Sequence, residues 1–231
     1  MSDVHANLAA LKAVLEDAGS VDEVWCLGDL VGYGPDPNEC ISMIREIPNH
    51  ICLMGNHDLA ATGGLGLEAF NSDAHRSLLW QKRILSKENL KFLKSLPTQI
   101  QVIDDVSLAH GSPRDSIWEY IMNAEIARQN LDFFDSPCCF IGHTHYQMIF
   151  HWSSENEFQF TEHPAPGFLF HLTGRAILNP GSVGQPRDKD NRAAYAIFDP
   201  IEKTWQTQRV TYDYSMVQER ILKAGLPPYH A

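Results

Sequence analysis

The sequence predicts a mixed α/β protein built as a four-layer α-β-β-α sandwich, with two mixed β-sheets face to face and helices outside. Three observations carry this. Over residues 7–54 amphipathic helical stretches alternate with short apolar strands, the order expected of parallel βαβ units. From Gln147 onward the pattern changes to a succession of strands. No low-complexity linker or internal repeat interrupts the 231 residues, so 1–231 is expected to form one domain with a substantial core.

Asn7 to Asp17 places Leu8, Leu11, Val14 and Leu15 on one helical face, and Gly19 is a natural stop. Val21 to Asp29 is a strand ending in a glycine and an acid. The loop Gly32-Tyr33-Gly34-Pro35-Asp36 leads into a helix from Pro37 to Ile47, where the proline suits the first turn. His50 to Met54 is the next strand and delivers Gly55-Asn56-His57-Asp58. Phe70 to Leu85 and Lys87 to Ser95 read as two helices, the second starting at Ser86. Thr98 to Val102 and Val106 to His110 form a hairpin around Ile103-Asp104-Asp105. A helix follows over Glu125 to Phe134, then a buried strand from Cys138 to Ile141. Strands are expected at Gln147 to Trp152, Glu157 to Thr161, Gly167 to Leu172, Arg175 to Leu178, Ala193 to Phe198 and Thr204 to Val210. A last helix spans Tyr214 to Ala224, before the tail Leu226-Pro227-Pro228-Tyr229-His230.

Bulk properties narrow the function. Hydrophobic content of 44% and charged content of 20% are those of a globular protein, and no apolar run approaches the ~20 residues of a membrane span. The start, Met1-Ser2-Asp3-Val4-His5, lacks the regions of a signal peptide, which points to the cytoplasm. Five cysteines fit no paired framework and read as reduced core thiols; Cys138 and Cys139 would face opposite sides of a strand. A formal net charge of −11 argues against a nucleic-acid backbone as partner.

Chemistry-bearing residues gather where strands should release the chain: Asp3-Val4-His5, Gly28-Asp29, Gly55-Asn56-His57-Asp58, His110-Gly111 and Gly142-His143-Thr144-His145. Polar groups are costly there without a partner. In the third of these groups Asn56 offers an amide oxygen to a metal, His57 points at a substrate and Gly55 lets the backbone turn tightly, although Gly, Asn and Asp also favour an ordinary turn. Carboxylate, imidazole and amide oxygen together suit Mn, Fe, Zn or Co better than Ca. His143 and His145, two apart on an extended chain, need a bend to converge, which Gly142 could supply.

These five segments, in this order, resemble the motifs of the calcineurin-like metallophosphoesterases: D-x-H, G-D, G-N-H-D/E, a single H, and G-H-x-H. Asn179-Pro180-Gly181-Ser182 is similar to the late N-P-G-S motif of small bacterial and archaeal members, and Gly32-Tyr33-Gly34-Pro35-Asp36-Pro37 to one bacterial subgroup. The resemblance implies two divalent transition-metal ions, one held by Asp3, His5 and His145, the other by Asn56, His110 and His143, with Asp29 bridging. It implies phosphomonoester or phosphodiester hydrolysis by a hydroxide bridging the two ions. His57 would donate a proton or hydrogen bond to the leaving or phosphoryl oxygen, and Asp58 would orient it or, preferably, cap the following helix. Arg187 and Arg114 are candidates to clamp a phosphate, or else surface arginines paired with Asp188 and Asp115.

Two departures qualify the resemblance. The phosphoprotein phosphatase branch carries G-D-x-V-D-R-G, whose second Asp orients the catalytic His and whose Arg binds phosphate; here the run is Gly28-Asp29-Leu30-Val31-Gly32-Tyr33-Gly34. Only Met1 and Ser2 precede Asp3, so the first strand reads as truncated and the first ligands as loosely held. An upstream start is expected, and an added apolar-x-apolar-x-Ser strand should then raise bound metal and activity. Substrates open to this reading are a phosphorylated small molecule, a nucleotide such as a dinucleoside polyphosphate, or a phosphoprotein. A non-catalytic metal-binding or partner-binding scaffold is the rival, and the charge disfavours a nuclease.

Overall fold

Residues 1–102, 106–153 and 157–228 are described in a computed structural model of the chain. The first part alternates as expected: α1 (Leu8–Ala18), β1 (Val24–Cys26), α2 (Pro37–Glu46), β2 (His50–Cys52), α3 (Asn56–Ala61), α4 (Ser72–Ile84) and α5 (Lys87–Ser95). Then come β3 (Gln99–Val102), β4 (Val106–Ala109), α6 (Ala124–Gln129), β5 (Cys138–Phe140), β6 (Gln147–Trp152), β7 (Phe158–Glu162), β8 (Leu169–His171), β9 (Arg175–Pro180), β10 (Ala193–Asp199), β11 (Thr204–Val210) and α7 (Tyr214–Lys223). The expected hairpin turn 103–105 and the tail residues Tyr229 and His230 lie outside the described residues.

Side-chain caps fix the helix starts. Asn7 accepts from the Ala10 N–H, Asn71 from Asp73 and Ala74, Ser86 from Asn89, and Asp213 from Met216. The helix expected over Glu125 to Phe134 stops at Gln129, because Asn130 ends it and Leu131–Phe133 continues as a 3₁₀ turn. Strands β1 and β2 are three residues each, shorter than their apolar runs, although main-chain hydrogen bonds continue past them through Leu27 and Leu53.

One sheet has six strands in the order β3-β4-β5-β9-β6-β7, with β4, β5 and β9 parallel and the outer pairs antiparallel. The other layer contains the parallel pair β1-β2 and the antiparallel set β10-β11-β8. Residues 1–3 join these two pieces. On one edge Leu27 N–H donates to Met1 O and Asp3 N–H to Gly28 O, both at 3.0 Å; on the other Val183 N–H donates to Ser2 O at 3.0 Å and Gly184 N–H to Asp3 O at 2.9 Å. Ala194 N–H then donates to Ser182 O and carries the ladder into β10. Asp3, expected to be loosely held, is laddered on both sides.

Three apolar contacts make the four layers. Leu27, Leu53 and Trp205 of one sheet meet Leu108, Phe140 and Leu178 of the other. Leu11, Ile41, Ile44 and Leu78 of the helices cover the outer side of the first sheet, against Cys26 and Cys52. Ile121, Ala127 and Phe134 cover the outer side of the six-stranded sheet, against Cys139, Phe150 and Ile177. Cys138 and Cys139 therefore do face opposite sides, and all five cysteines are buried and outside any disulfide. Among the described residues no helix is long and apolar enough to cross a membrane.

Leu108, fully buried between the sheets, sets a test of this arrangement. Leu108→Ala should cost about 2–5 kcal/mol in denaturant unfolding. Leu222→Ala, on the exposed side of α7, should stay within about 0.5 kcal/mol.

Candidate metal centre

The carboxyl ends of parallel strands open on one rim, the usual place for a site in such sheets. Asp3 ends the laddered segment 1–3 and His5 follows it, Asp29 follows β1, Asn56 follows β2, His110 follows β4, and His143 and His145 follow β5. All seven side chains are buried and converge. His5 Nε2 is 3.1 Å from His145 Nε2, which is 3.3 Å from Asp3 Oδ1. His110 Nε2 is 3.1 Å from Asn56 Oδ1 and 3.4 Å from Asp29 Oδ2, and that same oxygen is 3.7 Å from His5 Nε2. Asp3, His5 and His145 thus form one cluster and Asp29, His110 and His143 a second, with Asp29 reaching both.

The backbone decides which ring nitrogens face inward. His5 Nδ1–H donates to Val31 O at 2.8 Å, His110 Nδ1–H to Leu27 O at 2.9 Å, and His145 Nδ1–H to Gln185 O at 2.5 Å. A carbonyl only accepts, so in each ring Nε2 presents its lone pair to the centre. His143 is turned the other way: its Nε2–H donates to Trp118 O at 3.2 Å, which leaves Nδ1. The His5 and His145 lone pairs therefore face each other beside a carboxylate, and Asp3 Oδ1 and Asp29 Oδ2 have no hydrogen-bond partner among the described residues. Acceptors packed together without donors require a cation. The residues fit two divalent ions.

Charge states agree. Burial opposes ionisation of both carboxyls, but His145 beside Asp3 and His110 beside Asp29 hold them below the usual range. Burial pushes His143 down to about 3 and His5 well below its ordinary value, so both imidazoles are neutral and able to ligate. Burial disfavours the His110 imidazolium too, but the Asp29 carboxylate outweighs it and raises that group to about 9, so a proton and a metal compete for Nε2.

Five of these residues adopt left-handed backbone: Asp3, His5, Asp29, His143 and His145, at φ between 48° and 66°. Such conformations cost about 1–3 kcal/mol each for non-glycine residues and persist where the surroundings over-determine them. His143 and His145 make the expected bend themselves. Gly142 has a different reason to be glycine, because a Cβ there would collide with Ser2 Oγ. Gly55 is likewise no tight turn: its φ of −91° suits any residue, but a Cβ would collide with Asp29 Oδ1.

His57 is unlike the four histidines above. Its N–H donates to Asp29 Oδ1 at 2.9 Å, while its ring nitrogen Nδ1 is buried without a partner, and burial lowers its pKa to about 4. Both oxygens of Asp58 go to backbone, accepting from Gly55 N–H at 3.0 Å and Val31 N–H at 3.1 Å, so Asp58 caps α3. Burial and the Asp29 charge raise its pKa to about 7.

A cavity of about 910 Å³ opens over His5, Asn56 and His57 and is walled by Tyr33, Phe70, Trp118 and Tyr120. Tyr120 stacks on His143 at 3.9 Å between centroids, and Phe70 meets His57 edge-on at 4.8 Å. Of these residues the sequence singled out only Tyr33, within Gly32-Tyr33-Gly34-Pro35-Asp36-Pro37, and not as a wall of the site. Arg187 lines the cavity, with Nη2 at 3.4 Å from Tyr33 Oη and from Gln185 Oε1. The structure does not pair it with Asp188, which is bound by Arg209. Arg114 is engaged elsewhere, by Glu119 and Gln129, and does not line the cavity.

The sequence profile of the calcineurin-like phosphoesterase superfamily domain matches residues 1–203. The chain belongs to this superfamily. It is 46% identical to a metallophosphoesterase of Sphaerobacter thermophilus of known structure, with a TM-score of 0.89 over 100% of this chain and 94% of the other. It is 37% identical over 236 residues to an uncharacterized protein of Methanocaldococcus jannaschii, covering 99% of this chain and 93% of that one. A symmetrical bis(5'-nucleosyl)-tetraphosphatase of Pectobacterium carotovorum is 27% identical over 164 residues, 67% of this chain and 57% of the relative. Calcineurin-like phosphoesterases are metal-dependent, and family and fold support a hydrolase.

The Gly55 contact gives a test. Gly55→Ala should displace Asp29 and release about half or more of the bound Mn after dialysis, read by elemental analysis. Unchanged metal content would show that the Asp29 carboxylate does not need the space.

Proposed function

We propose that the chain hydrolyses phosphomonoesters or phosphodiesters at a dinuclear centre of divalent Mn, Fe, Zn or Co. The observation that carries this is the single carboxylate shared by two clusters, Asp29, with Oδ2 3.7 Å from His5 Nε2 and 3.4 Å from His110 Nε2. Asp3, His5 and His145 would hold one ion and Asn56, His110 and His143 the other, with Asp29 within reach of both groups. When bound, the ions neutralise charge at phosphorus and activate water at neutral pH. The chain's own groups do the remaining work. Arg187 meets the phosphoryl oxygens from the cavity wall, and a guanidinium suits that role by its paired donors. His57 offers an N–H to the leaving oxygen. Asp58 keeps α3, and so Asn56 and His57, in place through its two backbone hydrogen bonds.

A nucleotide substrate, such as a dinucleoside polyphosphate, has specific support. The cavity is far larger than a phosphate, is walled by aromatic rings, and the tetraphosphatase relatives act on nucleotides by their name. A phosphoprotein substrate has less, since Gly32 and Tyr33 stand where that branch carries Asp and Arg. The scaffold reading loses its motive, because Asp3 is laddered on both edges. A cytoplasmic location remains part of the proposal.

Assays with Mn on p-nitrophenyl phosphate, bis-p-nitrophenyl phosphate and a dinucleoside tetraphosphate test it. Chelation should abolish turnover, and Asn56→Ala should lose metal and activity together. His57→Ala should keep its metal and lower kcat on alkyl esters by about 10²–10⁴-fold. Turnover that survives chelation, or His57→Ala with undiminished activity on every ester, would defeat the proposal. Arg187→Ala should raise KM for the preferred ester by about tenfold, the loss of one charge-assisted contact.

A further inference from the structure

Gln81 lies near the end of α4 with no solvent exposure. A buried amide needs both its acceptor and its donors satisfied, and Gln81 spends both on one loop. Gly32 N–H donates to Gln81 Oε1 at 2.6 Å, and Gln81 Nε2 donates to Gly34 O at 2.8 Å. The side chain closes residues 32–34 as a neighbouring strand would. Between its two bonds sit two left-handed residues, Gly32 at φ 98° and Tyr33 at φ 53°. A tyrosine keeps that conformation only where its surroundings over-determine it.

What the clamp holds is the wall of His57. The Tyr33 ring lies 4.8 Å from the His57 ring and 4.7 Å from the His5 ring, and its hydroxyl accepts from Arg187 Nη2. His57 Nδ1 has no partner among the described residues, so the direction of that imidazole is set by packing against Tyr33, His5 and Phe70. Phe70 stands just ahead of α4 and Gln81 close to its end. One helix therefore reaches His57 from two sides. A carboxylate could not do this from position 32, where even a Cβ would collide with His57 Nδ1.

We infer that Gln81 is a positioning residue for the reaction: by clamping residues 32–34 it makes Tyr33 aim the His57 imidazole at the leaving oxygen. This rests on the reading of His57 as the group that donates to that oxygen. It assigns to an uncharged amide on α4 the orienting task for which no carboxylate is present at position 32.

The test compares two monoesters, p-nitrophenyl phosphate, whose phenolate leaves without a proton, and glycerol 2-phosphate, whose alkoxide needs one. In Gln81→Leu with unchanged Mn content, kcat on glycerol 2-phosphate should fall at least about tenfold further than kcat on p-nitrophenyl phosphate, with KM for both moving less. Gln81→Glu, which keeps the acceptor for Gly32 and loses the donor to Gly34, should fall between the two. Equal losses on both esters, or none, would overturn the inference. Should Gln81→Leu fail to fold or lose its metal, Tyr33→Ala decides: it should show the same change in preference, and an unchanged preference would overturn the inference equally. His57→Ala separates the two layers of the reading. A changed preference in His57→Ala but not in Gln81→Leu or Tyr33→Ala rejects the role of Gln81 alone, whereas an unchanged preference in His57→Ala rejects the role of His57 and with it that of Gln81.

Discussion

A carboxylate buried between two groups of imidazoles, Asp29, constrains most of the structure around it. A buried charge is tolerated only when it is paired on every side, and Asp29 divides its oxygens accordingly. Oδ1 takes the His57 N–H, which fixes the start of α3, and Oδ2 faces His5 and His110. The room for that carboxylate comes from the missing side chain of Gly55. The residue itself sits in left-handed backbone, as do four of its companions. Local conformation that would be unfavourable alone is held because the four-layer core leaves no alternative packing.

The histidines divide by what their second nitrogen does. His5, His110, His143 and His145 each donate it to a main-chain carbonyl, so their orientation is fixed by the fold and their free nitrogens point inward. His57 has no such anchor and is steered by ring contacts at the cavity floor. Four rings are thus held by the main chain, and the fifth by its aromatic neighbours. The same residue type serves both ends through its hydrogen-bond partners.

The site was legible in the sequence because its residues are of types that are costly to bury, placed where apolar runs end. Asn7, Ser86 and Pro37 marked helix starts for the same local reasons that operate in the fold. The adjacent Cys138 and Cys139 gave away a strand with two covered faces. What stayed hidden depends on main chain or on distance. The carbonyls of Leu27, Val31, Trp118 and Gln185 that orient the imidazoles belong to residues whose side chains give no hint of it. Gly55 and Gly142 look like turn formers, yet each is needed for its absent Cβ. Tyr33, Phe70, Trp118 and Tyr120 come from separate loops and assemble only in three dimensions. Arg114 resembled a phosphate clamp because it follows His110-Gly111-Ser112-Pro113, but it is bound by Glu119 and does not line the cavity.

The placement of residues 1–3 has a bearing on the order in which the molecule is made. Asp3 O accepts from Ser182 Oγ, 179 residues further along, and the same short segment is bonded to Leu27 and Gly28 on its other edge. Contacts this far apart in sequence close late, since the loop entropy must be met before they stabilise anything. During synthesis the βαβ half emerges first, with Asp29, Asn56 and His57 in place, while the partner of Asp3 is still unmade. Only when the segment 182–184 arrives is the first sheet joined into one. The nascent chain therefore carries an unfinished cluster of acids and imidazoles and an open sheet edge at the same time, and a single late event closes both.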